Sequence, residues 1–234
     1  MNQRIEIIPA VLPHSYEALK EGLEKLRGIA PHVQIDIVDG HAAKGKTWPY
    51  RDGEKWAQIV QQEHGIPFWE ELDFEFDLMV EDPAAVALDY VHAGASRIII
   101  HAAAKTSRQA IELLTGLREE DEGAGIYVGV ALACTDSPDA LEPFGEQFDF
   151  IQVMGVEHIG KQGEPLALKA IHLLERLRHR YTTLPLQIDG GVRLEHVKRL
   201  VEAGATRLVS GSAILSAEDP RAAYQALYNE ANAH

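Results

Sequence analysis

Short apolar runs alternate with amphipathic stretches along the whole chain. The runs predict β-strands at 5–12, 33–38, 72–79, 97–101, 126–132, 148–154, 185–189 and 207–210. Between them, helical spacing of apolar residues predicts helices at 15–28, 53–64, 82–93, 107–119, 137–143, 164–181, 193–203 and 219–231. Most of the strands read as continuous apolar runs, as expected when both faces are buried. Eight strands and eight helices in strict alternation predict an α/β fold of the (β/α)8 TIM-barrel type, because an open doubly wound sheet usually has fewer strands. Some helix starts are legible. Ser15 precedes the first, and Glu81-Asp82-Pro83 and Glu218-Asp219-Pro220 place acids and a proline in a first turn. Ala93-Gly94-Ala95 and Ala203-Gly204-Ala205 read alike, as a helix end, a glycine stop and a new strand.

One run departs from the apolar pattern. In Leu72-Asp73-Phe74-Glu75-Phe76-Asp77, alternation puts the three acids on one face and Leu72, Phe74 and Phe76 on the other. A row of acids turned into a barrel is costly unless paired or wet. Residues 39–52 form the longest irregular stretch after a strand end, a candidate lid or substrate loop.

Composition narrows the class. The 234 residues suit a single domain spanning 1–234, without linker or low-complexity stretch. No apolar run reaches the roughly 18 residues of a membrane span. The N-terminus runs straight into a strand with no signal-peptide pattern, so the expected location is cytoplasmic. Net charge is −14, which argues against nucleic acid and anionic membrane partners. The single cysteine, Cys134, excludes an intrachain disulfide and a cysteine-rich zinc site, and reads as a packed thiol.

The candidate chemistry sits where strands end. Asp36, Asp77 and Asp189 each lie at or near the end of an apolar run, so a barrel would bring them to one mouth. Glu75 shares the face of Asp77 by alternation, and Gln34 fits the mouth by position alone. Gly190-Gly191 and Gly211-Ser212 follow the last two strands, where backbone N–H groups of a barrel receive phosphate. Gly160 and Gly163 lie in a glycine-containing loop with Lys161 and Gln162, and Met154 is expected to pack beneath the site. His41 and His101 read as packed or capping histidines, His158 and Lys161 as surface residues, and Trp48, Trp56 and Trp69 as packing or loop anchors.

Taken in order, the motifs resemble those of the ribulose-phosphate 3-epimerase family of TIM barrels. Ile8-Pro9-Ala10-Val11-Leu12 is similar to the family's "SPSIL", and Ile35-Asp36-Ile37-Val38-Asp39-Gly40-His41 to "HVDVMDGHF". Asp77-Leu78-Met79 falls at "HLM", and Val153-Met154-Gly155-Val156 on "LMSVNPGFGGQ". Ile188-Asp189-Gly190-Gly191-Val192 resembles "VDGGV", and Gly211-Ser212-Ala213-Ile214 resembles "AGSAIF". The resemblance implies an isomerase of carbohydrate metabolism, in the pentose phosphate pathway. It would invert C3 of D-ribulose 5-phosphate or a close ketose phosphate. Asp36 and Asp189 would be the two acid/base groups, working through a metal-stabilised enediolate. Met154, Gly160, Gly163, Gly190, Gly191, Gly211 and Ser212 would hold the sugar phosphate. Inversion needs an acid/base group on each face, and a proton beside a carbonyl becomes acidic only when the developing oxyanion is stabilised.

The family holds its metal with two His and two Asp, and the matching positions here are Gln34, Asp36, Asp77 and Asp189. The family's first-strand Ser is Ala10 and its second-strand Met is Val38. An all-oxygen set suits Mg2+ or Mn2+ rather than Zn2+. With no metal, the crowded carboxylates would push at least one pKa upward. Two rival readings keep the barrel: a lyase or epimerase for another sugar phosphate, and a non-catalytic protein that binds a phosphate ligand. Barrels of this type often form homo-oligomers, and no sequence patch decides that here.

Overall fold

Eight parallel strands pair in chain order and close on themselves, with β1 (Glu6–Val11) joined to β8 (Arg207–Ser210) in register Glu6↔Arg207 to Pro9↔Ser210. The structure is a computed structural model describing residues 4–119, 125–160 and 163–233. The other strands are β2 (His32–Val38), β3 (Asp73–Met79), β4 (Ala95–His101), β5 (Tyr127–Leu132), β6 (Phe150–Met154) and β7 (Leu186–Asp189). Outside them run α1 (Tyr16–Leu26), α2 (Trp56–Val60), α3 (Ala87–His92), α4 (Ser107–Glu119), α5 (Leu168–Arg180), α6 (Leu194–Glu202), the short α7 (Ser212–Leu215) and α8 (Pro220–Ala231). This is the TIM barrel that the alternation predicts.

The helices differ from expectation where local chemistry intervenes. Ser15 accepts from Ala18 N at 3.1 Å and Asp219 from Ala222 N at 3.0 Å, so α1 and α8 start where the caps predict. The expected helix 53–64 shrinks to α2, closed by left-handed Lys55 before it and Gln62 just after it. The expected helix 82–93 splits into a 3-10 turn, Pro83–Ala85, and α3. The expected 137–143 helix is a 3-10 segment, Pro138–Phe144, in which Pro138 and Pro143 remove N–H donors.

The large apolar core lies between barrel and helices, where Ile35, Ile37, Phe76, Leu78, Ile98, Ile100, Val128, Val130, Ile151 and Ile188 pack outward. Inside the barrel, the continuous-apolar reading fails. Two small apolar groups, Ile8/Ala10/Val209 and Ile99/Ala131/Phe150/Met154, are separate from the main core. The rest of the interior is polar: Gln34, Glu75, Asp77, Gln152 and Gln187 are each 0% exposed. Gly129 makes room for the Phe150 ring, which would collide with a Cβ at that position.

At the N-terminal end of the strands, one carboxylate ties several elements together. Glu6 contacts Arg97 at 3.2 Å, Arg207 at 3.2 Å and His32 Nδ1 at 3.0 Å. Burial would raise the Glu6 carboxyl, but the His32 hydrogen bond and the Arg97 and Arg207 charges outweigh it and hold its pKa at about 2. A depressed carboxyl stabilises the fold above its unfolded value and loses that contribution as pH falls from about 4.5 toward 2. The full linkage is on the order of 3 kcal/mol, and the 28% exposure of the side chain reduces it. Urea unfolding should therefore show Glu6→Gln destabilised by about 1–2 kcal/mol at pH 7. The gap should shrink to under half by pH 3 and close only below the folded value of about 2, and an equal gap at pH 7 and pH 3 would remove Glu6 from this role.

Candidate active site

At the C-terminal ends of the strands, β2, β3 and β7 bring Asp36, Asp77 and Asp189 together. One carboxylate oxygen from each lies within 4.8 Å of the others. Asp36 and Asp189 line an open cleft, whereas Asp77 is not part of its wall and is fully buried. Each Asp is held by a donor. The Gln34 amide nitrogen reaches Asp36 Oδ1 at 2.7 Å and Asp189 Oδ2 at 2.9 Å. Asp77 Oδ2 accepts from Gln152 Nε2 at 3.0 Å, and its Oδ1 is 2.9 Å from His101 Nε2.

The electrostatics follow from crowding. Burial first, then the charges of Asp189 and Asp77, push the Asp36 carboxyl well above its usual range. Burial and Asp77 push Asp189 upward too. Burial lowers and the adjoining Asp77 raises the His101 imidazole, with a net upward shift. Glu75, two residues before Asp77 on β3, is pushed up to about 7 by burial, against the opposing pull of Arg97 and its Gln187 hydrogen bond. Two carboxylates this close without a cation favour sharing a proton.

The donor set suits a hard divalent cation. Oxygens bound to one such ion are separated by roughly 3–5 Å, given bonds of about 2.0–2.6 Å. The three carboxylates meet that spacing, and a dication would offset the crowded charge that helps push Asp36 and Asp189 upward. Gln34 turns its nitrogen, not its oxygen, toward Asp36 and Asp189.

The cleft wall contains Met154, Gly160, Gly163, Gly190, Gly191, Gly211 and Ser212, all residues that the sequence marks for the sugar phosphate. Lys161 and Gln162 lie outside the described residues. Gly190 and Gly191 have φ of +97° and +69°, and a Cβ on Gly191 would stand 2.6 Å from Leu166 Cα. Only glycine fits that turn. The short α7 begins at this wall, just after Gly211.

The loop 39–52 is fixed in its second half. Thr47 N donates to Val38 O at 3.0 Å, Trp48 N donates to Pro13 O at 2.8 Å, and the Trp48 ring is fully buried. Its first half meets the loop after β6: a Cβ on Gly160 would lie 3.0 Å from Ala43 Cβ and from Lys44 O. Trp56 packs on Trp48, whereas Trp69 is 62% exposed and anchors little. Cys134 is the packed thiol that the sequence predicts, 3.5 Å from Val156 O.

Sequence reasoning missed four residues here. His101 reads as a packed histidine, but it ends β4 and contacts Asp77, and its place at a strand end was the available signal. Arg193 is the cation among the described residues lining the cleft, and its position just after Gly190-Gly191-Val192 was the clue. Gln152 and Gln187 carried no signal beyond being polar within apolar strands.

A closed (β/α)8 barrel with acidic groups gathered at its strand C-termini defines a TIM-barrel enzyme. The chain belongs to the ribulose-phosphate 3-epimerase family, whose model matches residues 6–215, and its enzyme class is isomerase. It is 32% identical over 160 residues to the ribulose-phosphate 3-epimerase of Schizosaccharomyces pombe, covering 68% of this chain and 67% of that one. It is 28% identical over 239 residues to the Mycobacterium bovis enzyme of the same name, covering 97% and 93%. Among solved structures, KGPDC from Streptococcus mutans superposes with a TM-score of 0.69 at 14% identity, covering 98% of this chain and 99% of that one. The 3-hexulose-6-phosphate synthase of Salmonella typhimurium gives 0.69 at 16% identity, covering 98% and 100%. These two likenesses concern the fold alone.

Proposed function

We propose that this protein is a ketose-phosphate 3-epimerase acting on D-ribulose 5-phosphate or a close analogue. The observation that carries this reading is that Asp36 and Asp189 line one glycine-walled cleft in a chain of this family. The phosphate binds against Gly190, Gly191, Gly211 and Ser212, with Gly160 and Gly163 closing one side. Arg193 supplies local positive charge in a protein whose net charge is −14. Met154 packs under the sugar.

Asp36 removes the C3 proton from one face and Asp189 returns a proton to the other, the roles exchanging in the reverse direction. Gln34 holds both carboxylates in place through its amide N–H groups. Asp36, Asp77 and Asp189 would hold a divalent cation such as Mg2+ or Mn2+. When bound, it would stabilise negative charge developing on the substrate oxygens. Asp77 stays outside the cleft wall, oriented by His101 and Gln152.

The test is conversion of D-ribulose 5-phosphate to xylulose 5-phosphate after chelation, then with Mg2+, Mn2+, Fe2+ or Zn2+ restored. Metal-restored turnover supports the epimerase. Silence with every metal in folded protein moves the function to another sugar phosphate or to binding alone. Independently of activity, Mn2+ at 100 times its Kd should stabilise the metal-free protein by about 2.7 kcal/mol in thermal unfolding. Asp77→Asn should abolish most of that shift, and an unchanged shift would take Asp77 out of the cation site.

A further inference from the structure

Below the three aspartates lies a buried chain of three amides and one carboxyl: Gln34, Glu75 and Gln187, each two residues before an aspartate on its strand, and Gln152 on β6. Gln187 Nε2 is 2.6 Å from Glu75 Oε1, 2.8 Å from Gln152 Oε1 and 3.4 Å from Gln34 Oε1. The nitrogens of Gln34 and Gln152 then point the other way, at Asp36, Asp189 and Asp77. All four members are 0% exposed, so bulk solvent does not reach them.

We propose that Glu75 is a positioning residue that sets the direction of this relay. Through Gln187, it makes Gln34 and Gln152 present N–H groups rather than carbonyls to the aspartates.

The argument is one of donor and acceptor counting. A carboxylate oxygen facing an amide accepts, whereas an amide has one donor end and one acceptor end. With Glu75 accepting, Gln187 must face it with nitrogen, because the reversed amide would set oxygen against oxygen at 2.6 Å. That nitrogen has two hydrogens for three acceptors: Glu75 and Gln152 take the short contacts at 2.6 Å and 2.8 Å, and the Gln34 carbonyl shares one of these hydrogens at 3.4 Å, so both glutamines answer with their carbonyls. Their nitrogens are left for the carboxylates above. Reversing Gln34 or Gln152 breaks contacts on both sides, and reversing Gln187 breaks all three contacts of its nitrogen, so the direction is shared by the whole relay.

Glu75 does not line the cleft. Arg97 Nη1 lies 3.6 Å from its other oxygen, which turns Oε1 toward Gln187. One consequence is that Gln34 holds the aspartates as a donor and is not a cation ligand. The catalytic part of this inference rests on the proposed epimerase activity. The direction of the relay does not.

The test combines NMR and kinetics on the full chain. In metal-free wild type, 1H–15N spectra should show the side-chain amides of Gln34, Gln152 and Gln187 as resolved pairs with exchange slowed by at least about 10³-fold. Couplings across hydrogen bonds should link the Gln34 nitrogen to the Asp36 and Asp189 carboxyl carbons, and the Gln187 nitrogen to Glu75. A Gln34 nitrogen coupled to neither aspartate overturns the proposal without any variant.

Glu75→Gln replaces the oxygen that accepts from Gln187 with an amide that can face it by either end, and makes the two directions nearly equal in energy. The Gln34 pair should then broaden or lose protection, although residues 75 and 34 share no hydrogen bond. In the epimerase assay, kcat should fall at least 10-fold with KM within 3-fold. The swap Glu75→Gln/Gln187→Glu keeps charge and nearly keeps volume. It places the obligatory acceptor at 187, which draws the Gln34 and Gln152 nitrogens downward. The swap should therefore not rescue activity, and recovery to within 3-fold of wild type overturns the proposal, since Glu75 would then act by charge or packing alone. If wild type turns over no substrate, the NMR measurements still decide the relay, and only the proposed activity fails.

Discussion

Asp189→Asn and Asp36→Asn should each lower kcat for ketose-phosphate epimerisation by about 10²–10⁴-fold, the range typical of a lost acid/base group. The substitution keeps shape and hydrogen-bonding reach but cannot carry the proton. The phosphate end of the substrate lies against other residues, so KM should change little by comparison. The two losses should not add, because inversion needs both faces and either variant already blocks the cycle. Solvent exchange separates the faces. In D2O, a variant that retains one carboxylate should still wash deuterium into the epimer whose proton faces that group, without inverting it. Each variant should therefore exchange one epimer and not the other. Full turnover in both variants would mean that the acid and base are elsewhere, and exchange into both epimers would mean that a single group serves both faces.

Gly155→Ala should be the most damaging of small substitutions to the fold and to phosphate binding together. Gly155 N donates to Asp189 O at 2.6 Å, so β6 and β7 are tied at the level of the candidate base. A Cβ on Gly155 would collide with Gly190 O, which is backbone and has no rotamer to yield. The Gly190-Gly191 turn must shift, and it is itself hemmed in, with Gly191 against the Leu166 backbone. A loss of about 3 kcal/mol or more is expected from overpacking of this kind. Calorimetry or urea unfolding would measure it. Affinity for a pentose phosphate should fall at least 10-fold in the fraction that still folds. A variant with wild-type stability and affinity would show that this wall of the cleft moves freely.

The legible part of the fold followed from local rules. Strand positions came from apolar runs, and the alternation of strands with helices fixed the barrel class, because parallel neighbours need crossover helices. The starts of α1 and α8 could be read because Ser15 and Asp219 act on their own backbone within three residues. Helix extents near prolines and left-handed residues were less legible. At 53–64 the apolar spacing persists after the helix has ended, and at 137–143 it runs over a backbone that is 3-10 rather than α-helical. Three strand-end aspartates and two glycine-containing turns were also legible, since each sits at a break in an apolar run.

What the sequence determined by itself was the set of eight strands, the class of the barrel and the residues at its mouth, because these depend on contacts between near neighbours and on a regular alternation. The tertiary structure alone decided how those residues act on one another. His101 meets Asp77 from a neighbouring strand, Arg193 enters the cleft wall, and Gln187 reaches Gln34 across 153 positions of sequence. Closing the barrel makes these partners. Inside it the carboxylates and amides are sealed from bulk solvent, so most of their hydrogen bonds run to other strands.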